Sequence, residues 1–225
     1  MKILALDTCT ELCSAALLVD GARRERSEFA PRGHAQLILP MIESLLAEAG
    51  LRPVDLDGVA FGRGPGSFTG VRIGAGVTQG IAFAADLPVV PVSTLAALAQ
   101  GVMETVAVSR VAAAIDARMD EVYWGAYRRG SAGLAELEGA EVVLSPDVVC
   151  LPDGGDWHGV GSGWDNFSAR LNDALGRELP WTAQLFPRAG GVAVLGAARF
   201  ESGEGVAAEC AVPVYLRDKV AWQRG

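Results

Sequence analysis

Ile3-Leu4-Ala5-Leu6-Asp7, close to the amino end, and Val111-Ala112-Ala113-Ala114-Ile115-Asp116, near the middle, are one device written twice. Each is a short apolar run closed by an aspartate, and an unbroken apolar run of this length predicts a buried strand. The residues after each run also match. Leu12 to Val19 reads as a second strand ending at the turn signal Asp20-Gly21, and Glu121 to Arg128 resembles it in the later copy. A unit that begins twice in the same way predicts a duplicated α/β fold. Its seam falls near Thr105 to Arg110, which divides the chain into residues 1–104 and 105–225.

Around the first run the remaining elements fall into place. Arg23 to Phe29 is a polar strand nearer an edge, broken by Pro31-Arg32-Gly33. From His34 to Ala49 two stripes, Leu37/Met41/Leu45 and Ile38/Ile42/Leu46, recur every four residues, which predicts a helix with a broad apolar face. Gly50 stops it, and Pro40 predicts a kink or a late start. Val59 to Phe61 is a strand entering the loop Gly62-Arg63-Gly64-Pro65-Gly66-Ser67. A small-residue helix then covers Phe68 to Ala85. Its pairs Gly70/Gly74 and Gly76/Gly80 each cost about 1 kcal/mol per glycine against alanine, so close approach of a helix or the sheet is expected there. Leu87 to Val92 is the next strand and Thr94 to Glu104 the next helix. Past Ser145 the pattern weakens: Trp164 to Leu175 and Pro187 to Phe200 read as helices, and Val212 to Leu216 as a closing strand.

Composition excludes several classes. Of 225 residues half are hydrophobic and a fifth charged, an ordinary globular balance with enough apolar residues for a large core. The apolar run before Asp7 is too short for a secretory signal. The longest uncharged stretch, Leu87 to Met103, is interrupted by Pro88 and Pro91 and falls short of the ~20 apolar residues of a membrane span. Cys9, Cys13, Cys150 and Cys210 are expected as reduced thiols of a cytoplasmic protein. The net charge of −8 argues against holding RNA alone, and Arg23, Arg24 and Arg26 are interrupted by Glu25 and Glu28.

No catalytic set assembles from the side chains. The Gly62–Ser67 loop lacks the Gly-Lys-Ser/Thr end of a phosphate loop, and a structural turn that sets the following helix is the favoured reading. Cys9 and Cys13 lack a second pair for zinc, so no metal site is expected. His34 and His158 stand apart, and Ser67 lacks a nucleophile elbow. Asp7 and Asp116 each end an opening strand. Facing across a cleft they could hold a magnesium–nucleotide complex, or each could accept backbone amides in a turn. Both readings stay open for Asp7, the single candidate for cofactor contact; the turn is favoured for Asp116. No cofactor is expected otherwise.

Ile3 to Asp7 with Thr8, the block Gly62-Arg63-Gly64-Pro65-Gly66-Ser67-Phe68-Thr69-Gly70-Val71-Arg72-Ile73-Gly74, Ala114 to Met119, Glu121-Val122-Tyr123-Trp124 and Pro213-Val214-Tyr215-Leu216-Arg217 together resemble the TsaB (YeaZ) family of tRNA threonylcarbamoyladenosine biosynthesis proteins. The resemblance covers nearly the whole chain and is weakest from about Ser131 to Phe200. It implies an actin/Hsp70/sugar-kinase-like (ASKHA) α/β fold of two similar ribonuclease-H-like halves, each a mixed sheet flanked by helices. It also implies a non-catalytic subunit: the transfer chemistry belongs to a paralogue, TsaD, joined by an ATPase, TsaE, with tRNA bound only within the complex.

The residues agree with a lost site. Where the paralogue carries Val-His-His-x-x-x-His for its metal, this chain has Val92-Ser93-Thr94-Leu95-Ala96-Ala97-Leu98, and leucine ligates nothing. Where it carries Ser-Gly-Gly-His-Thr, this chain has Asp116-Ala117-Arg118-Met119-Asp120, with side chains where backbone would approach phosphate. The alternative is an actin-like-fold enzyme, a nucleotide phosphotransferase or a glycoprotease-type metallopeptidase. Dimers of the family are implied to pair through the first two helices, which makes Leu37, Met41, Leu45, Val71, Ala75, Thr78 and Ala82 the candidate partner face in the first half. A homodimer is the further expectation when the partner is absent.

Overall fold

Both opening strands form, and each lies at the centre of its own five-stranded sheet. A computed structural model describes residues 1–152 and 154–217; the last residues of the second half, up to 225, lie outside the described residues. β1 (Lys2–Asp7) pairs antiparallel with β2 (Leu12–Val19), which pairs antiparallel with β3 (Ala22–Phe29). On its other side β1 runs parallel to β4 (Gly58–Gly62), and β4 to β5 (Val89–Val92). The later copy repeats this. β6 (Arg110–Arg118) pairs antiparallel with β7 (Glu121–Arg129), and β7 with β8 (Ala135–Leu144). On the other side β6 runs parallel to β9 (Trp157–Val160), and β9 to the short β10 (Trp181–Thr182). The orders β3-β2-β1-β4-β5 and β8-β7-β6-β9-β10 are the same topology.

The helices are α1 (His34–Ala49), α2 (Phe68–Ala85), α3 (Thr94–Thr105), α4 (Ser162–Leu175) and α5 (Ala189–Glu201). Because side chains alternate along a strand, β1 feeds two cores. Leu4 and Leu6 pack with Ile38, Ile42 and Leu45 of α1 and Ala75 and Ala82 of α2. Ile3 and Ala5 pack with Val192, Ala193 and Leu195 of α5. In the second sheet Val111, Ala113 and Ile115 meet Leu95, Leu98 and Val102 of α3, while Ala112 and Ala114 meet Trp164 and Leu171 of α4. The layers therefore run α1/α2, first sheet, α3/α5, second sheet, α4. Helix α3, from before the sequence seam, covers the second sheet, and α5, from after it, covers the first. Each sheet borrows a helix from the other half.

Local chemistry fixes the helix ends. Ser67 caps α2 by accepting the Gly70 amide at 3.0 Å, and Ser93 caps α3 through the amides of Leu95 and Ala96. Gly50 ends α1 at φ 65°, the left-handed conformation that suits glycine. Three expectations are corrected. Pro40 neither delays nor splits α1, which begins at His34 and runs through it. Val212 to Leu216 is not a strand: the segment makes one backbone bond to the first half, from Val214 N–H to the Arg63 carbonyl at 2.8 Å, and no ladder. Close approach explains Gly70 and Gly74, which press on Thr8, but Gly76 and Gly80 face open space.

Candidate functional site

The carboxyl ends of β1 and β6 converge on a cleft of about 550 Å³ lined by both halves, with Thr10, Ser67 and Phe68 on one side and Ile115, Arg118 and Tyr123 on the other. Asp7 ends β1 but does not reach this cleft. It is wholly buried, and its Oδ1 accepts the amide of Cys9 at 2.9 Å. Its Oδ2 has no hydrogen-bond partner among the described residues. Gly62 lies directly over the carboxylate; a Cβ there would stand 2.8 Å from Asp7 Cγ. Burial pushes the Asp7 carboxyl up to about 7. Cys9 beside it is also fully buried, and burial, then the Asp7 charge, pushes its thiol well up. A carboxylate with no exposure offers no ligand position to a solvated magnesium ion. The turn reading of Asp7 is the one its geometry matches.

The glycine block explains this sealing. The backbone of Thr8 and Cys9 rests on the start of α2 so closely that a Cβ on Gly70 would run into the Thr8 carbonyl, and one on Gly66 would stand 2.8 Å from Cys9 Cβ. The Ser67 amide donates to the Cys9 carbonyl at 2.7 Å, and the Thr8 hydroxyl donates to the Gly70 carbonyl at 2.7 Å. These glycines hold a protein turn.

Asp116 makes the matching turn in the second half. Its Oδ1 accepts the amide of Arg118 at 2.7 Å, and its Oδ2 accepts the side-chain amide of Asn166 at 2.8 Å. Arg118, Met119 and Asp120 follow with φ of 62°, 55° and 62°, and Met119 is 79% exposed. The side chains expected to block phosphate approach here, Ala117 and Arg118, both line the cleft. Asp7 is thus closed to solvent, whereas Asp116 lines the cleft with both carboxylate oxygens already engaged.

Two features escaped the sequence. Glu141 of β8 lies between the halves, where it accepts from the Ser93 and Tyr127 hydroxyls and stands 3.8 Å from Arg63. Burial, then the Glu141 charge, pushes the Tyr127 phenol up. Thr94 and Leu98 beside this cluster are fully buried. Second, the terminal segment straps the cleft. Tyr215 packs on Phe68, and Arg217 donates to the Ala117 carbonyl at 3.2 Å and pairs with Glu121. Among the described residues no group of three His, Cys, Asp or Glu side chains is placed to hold a metal ion, and no helix is long and apolar enough to cross a membrane.

The residues expected at the partner face differ in their exposure. Leu45, Val71, Ala75, Thr78 and Ala82 are buried within the chain, because the apolar stripe of each helix faces the sheet. Leu37 and Met41 remain half-buried. The outward side instead carries Leu39 and Phe83, 47% and 82% exposed, with Gly76 and Gly80. The signal was in the sequence: Gly76 and Gly80 carry a helix cost that nothing inside the chain repays.

Two copies of one β-α unit facing each other across a cleft define the actin-like, doubled ribonuclease-H-like class. Comparison with known proteins narrows this. The family model described as TsaD, tRNA N6-adenosine threonylcarbamoyltransferase, matches residues 27–224. The chain is 45% identical to the tRNA threonylcarbamoyladenosine biosynthesis protein TsaB of Escherichia coli, covering 100% of this chain and 98% of that protein. It is 30% identical to the protein of the same name from Bacillus subtilis over 96% of this chain and 94% of that one. The solved structure of YeaZ from Pseudomonas aeruginosa superposes with a TM-score of 0.91 at 50% identity, covering 96% of this chain and 99% of that chain. The chain belongs to the TsaB (YeaZ) family.

Proposed function

We propose that the chain is a non-catalytic subunit in the biosynthesis of threonylcarbamoyladenosine beside the anticodon of tRNA, acting in the cytoplasm by pairing with a TsaD-type transferase. The observation that carries this reading is the sealed Asp7. In the half of the fold where an actin-like enzyme would grip its metal–nucleotide, the carboxylate is fully buried beneath Gly62. The match to a transferase family model favours an enzyme by itself. Thr94 and Leu98, buried at the head of α3, supply no imidazole for that chemistry.

The work left to such a fold is adhesion. The first half, residues 1–104, presents the outward sides of α1 and α2 to the transferase, with Leu39, Met41 and Phe83 as apolar contacts. Gly76 and Gly80 allow a partner helix to approach closely. TsaE and tRNA join the assembled pair, while residues 105–225 complete the fold. In the partner's absence the same face pairs with its own copy.

Co-purification with the TsaD-family partner tests this. Gly80→Arg adds bulk to the outward face yet removes a helix glycine, worth about 0.8 kcal/mol of helix stability. The expected outcome is lost co-purification with an unchanged or slightly raised unfolding temperature, and the same loss for Met41→Arg. Intact binding by both folded variants rejects the face. Threonylcarbamoylation of tRNA by the purified chain alone rejects the non-catalytic role.

A further inference from the structure

The arginines of this acidic chain are unevenly matched. Most described arginines lie within ion-pair distance of a carboxylate: Arg23 with Glu104, Arg26 with Glu48, Arg188 with Glu25, Arg170 with Asp120 and Asp147. Arg24, Arg32, Arg72, Arg129 and Arg177 have no such partner among the described residues, and of these Arg32 and Arg72 are both exposed. They are also set apart by position: one lines the interlobe cleft and the other lies over a ring that lines it. Arg32 lines it. Arg72 lies over the Phe68 ring, 3.3 Å from its centroid, and 5.1 Å from that of Tyr215. Its hydrogen bond to the Phe68 carbonyl at 3.0 Å engages one of five guanidinium donors.

The surroundings favour an anion that carries aromatic rings. The first turn of α2 opens onto the cleft through Ser67 and Phe68, placing the positive end of an 18-residue helix there. Thr10, only 7% exposed, lines the same cleft, and its hydroxyl has no partner among the described residues. The nearby carboxylates are already engaged: Arg118 stands 3.6 Å from Glu11 and 3.5 Å from Asp116, and Arg217 pairs with Glu121. Phe68 and Tyr215 are 64% and 46% exposed, a large apolar exposure for two residues side by side. An acidic peptide would answer the two guanidiniums. It would leave the rings in water.

We propose that the mouth of this cleft is where the chain contacts a single-stranded stretch of RNA. Phosphates would lie on Arg32, Arg72 and the first turn of α2, and a base on the Phe68 and Tyr215 rings. The inference rests on the tRNA-modification reading above and names the part of the chain that meets the tRNA. The rest of the surface, with its net charge of −8, contributes repulsion, so the contact operates within the assembled complex and not in the free chain.

The test uses the full chain assembled with its transferase partner and a fluorescein-labelled tRNA transcript, with anisotropy read from 50 to 200 mM salt. The double variant Arg32→Ala/Arg72→Ala is expected to bind about tenfold more weakly, with a slope of log affinity against log salt shallower by about 1.4, two single-strand phosphate contacts. Phe68→Ala is expected to cost about tenfold in affinity, within the range for loss of one stacked base, with the salt slope unchanged. Co-purification with the transferase is followed in parallel. If the wild-type chain fails to co-purify, the subunit reading falls. If co-purification holds while affinity and slope match wild type, this contact alone is overturned. Labelled AMP is a third probe: AMP binding abolished in the double variant with RNA affinity unchanged overturns the RNA assignment in favour of a free nucleotide. Should the double variant fail to assemble, a 4-thiouridine-substituted transcript is photo-crosslinked to the wild-type complex. Adducts at Phe68 or Tyr215 support the contact, and adducts confined elsewhere overturn it.

Discussion

The turns after β1 and β6 are built on the same plan and finished differently. In both, an aspartate stands at or near the end of the central strand and its Oδ1 accepts the amide two residues on, from Cys9 or from Arg118. The first turn is then closed from above by glycines. Gly62, Gly66, Gly70 and Gly74 let the loop and α2 settle on residues 7–9 with no room for a Cβ, and Asp7 ends with no exposure. The second turn has no such lid. Asp116 keeps a 13% exposed side chain and Asn166 as partner, and Arg118 and Met119 project outward. Duplication preserved the strand order and the backbone turn. The chemistry of the turn followed local packing: burial where glycine allowed contact, solvated pairing where side chains stood in the way.

The largest effect that would break this contrast is electrostatic. Burial raises the Asp7 pKa from 3.8 to about 7. Between those values the folded chain holds a proton that the unfolded chain has released, so stability from this group falls as pH rises from about 4 to about 7 and levels off above. The gap corresponds to about 4 kcal/mol. Asp7→Asn, which keeps the shape and cannot ionise, should gain on wild type by about that amount between pH 4 and pH 8 in urea unfolding. Parallel curves for the two proteins would mean that Asp7 is not sealed. Next in size is the glycine lid itself. Gly70→Ala forces a methyl against the Thr8 carbonyl and should cost about 3 kcal/mol, the upper range for overpacking a tight site, seen as a lower urea midpoint. A neutral result would mean α2 can lift from the turn.

Much of this was legible in the sequence, and the reasons differ by element. The bounds of α1 follow from its stripes and from Gly50, and the start of α2 from the glycine loop before it. The doubled topology follows from the two strand-plus-aspartate runs. β8 was not legible: Ala135–Leu144 mixes three glutamates with Gly139 at φ 91°, opposite a break in register at Trp124/Ala126, so no alternation survives. The residues expected at the partner face turn inward for a physical reason. Periodicity identifies which residues share a stripe, and the most apolar stripe of a surface helix is the one turned to its own sheet, as Leu45 and Ala75 are. The outward side of α2 is marked by glycines that no internal neighbour requires. The Glu141 cluster joins residues far apart in the chain, Arg63, Ser93, Tyr127 and Glu141, and no local pattern announces it.

The smallest expected effect sharpens the comparison most directly. If the first turn is held by packing from within, the second should be held from outside, and Arg217 is the holder. Its guanidinium reaches the Ala117 carbonyl and the Glu121 carboxylate on either side of the turn, while three residues earlier Val214 N–H is tied to Arg63 in the first half. The segment between them is a short tether across the cleft. Arg217→Ala removes charge-assisted bonds at a side chain 23% exposed, so a loss of about 1 kcal/mol is expected. The loss should be local, as faster hydrogen exchange at residues 117–121 with exchange at residues 7–9 unchanged. Equal acceleration at both turns would show that the tether holds the halves together as one unit, and the distinction between an internally sealed turn and an externally clasped one would not stand.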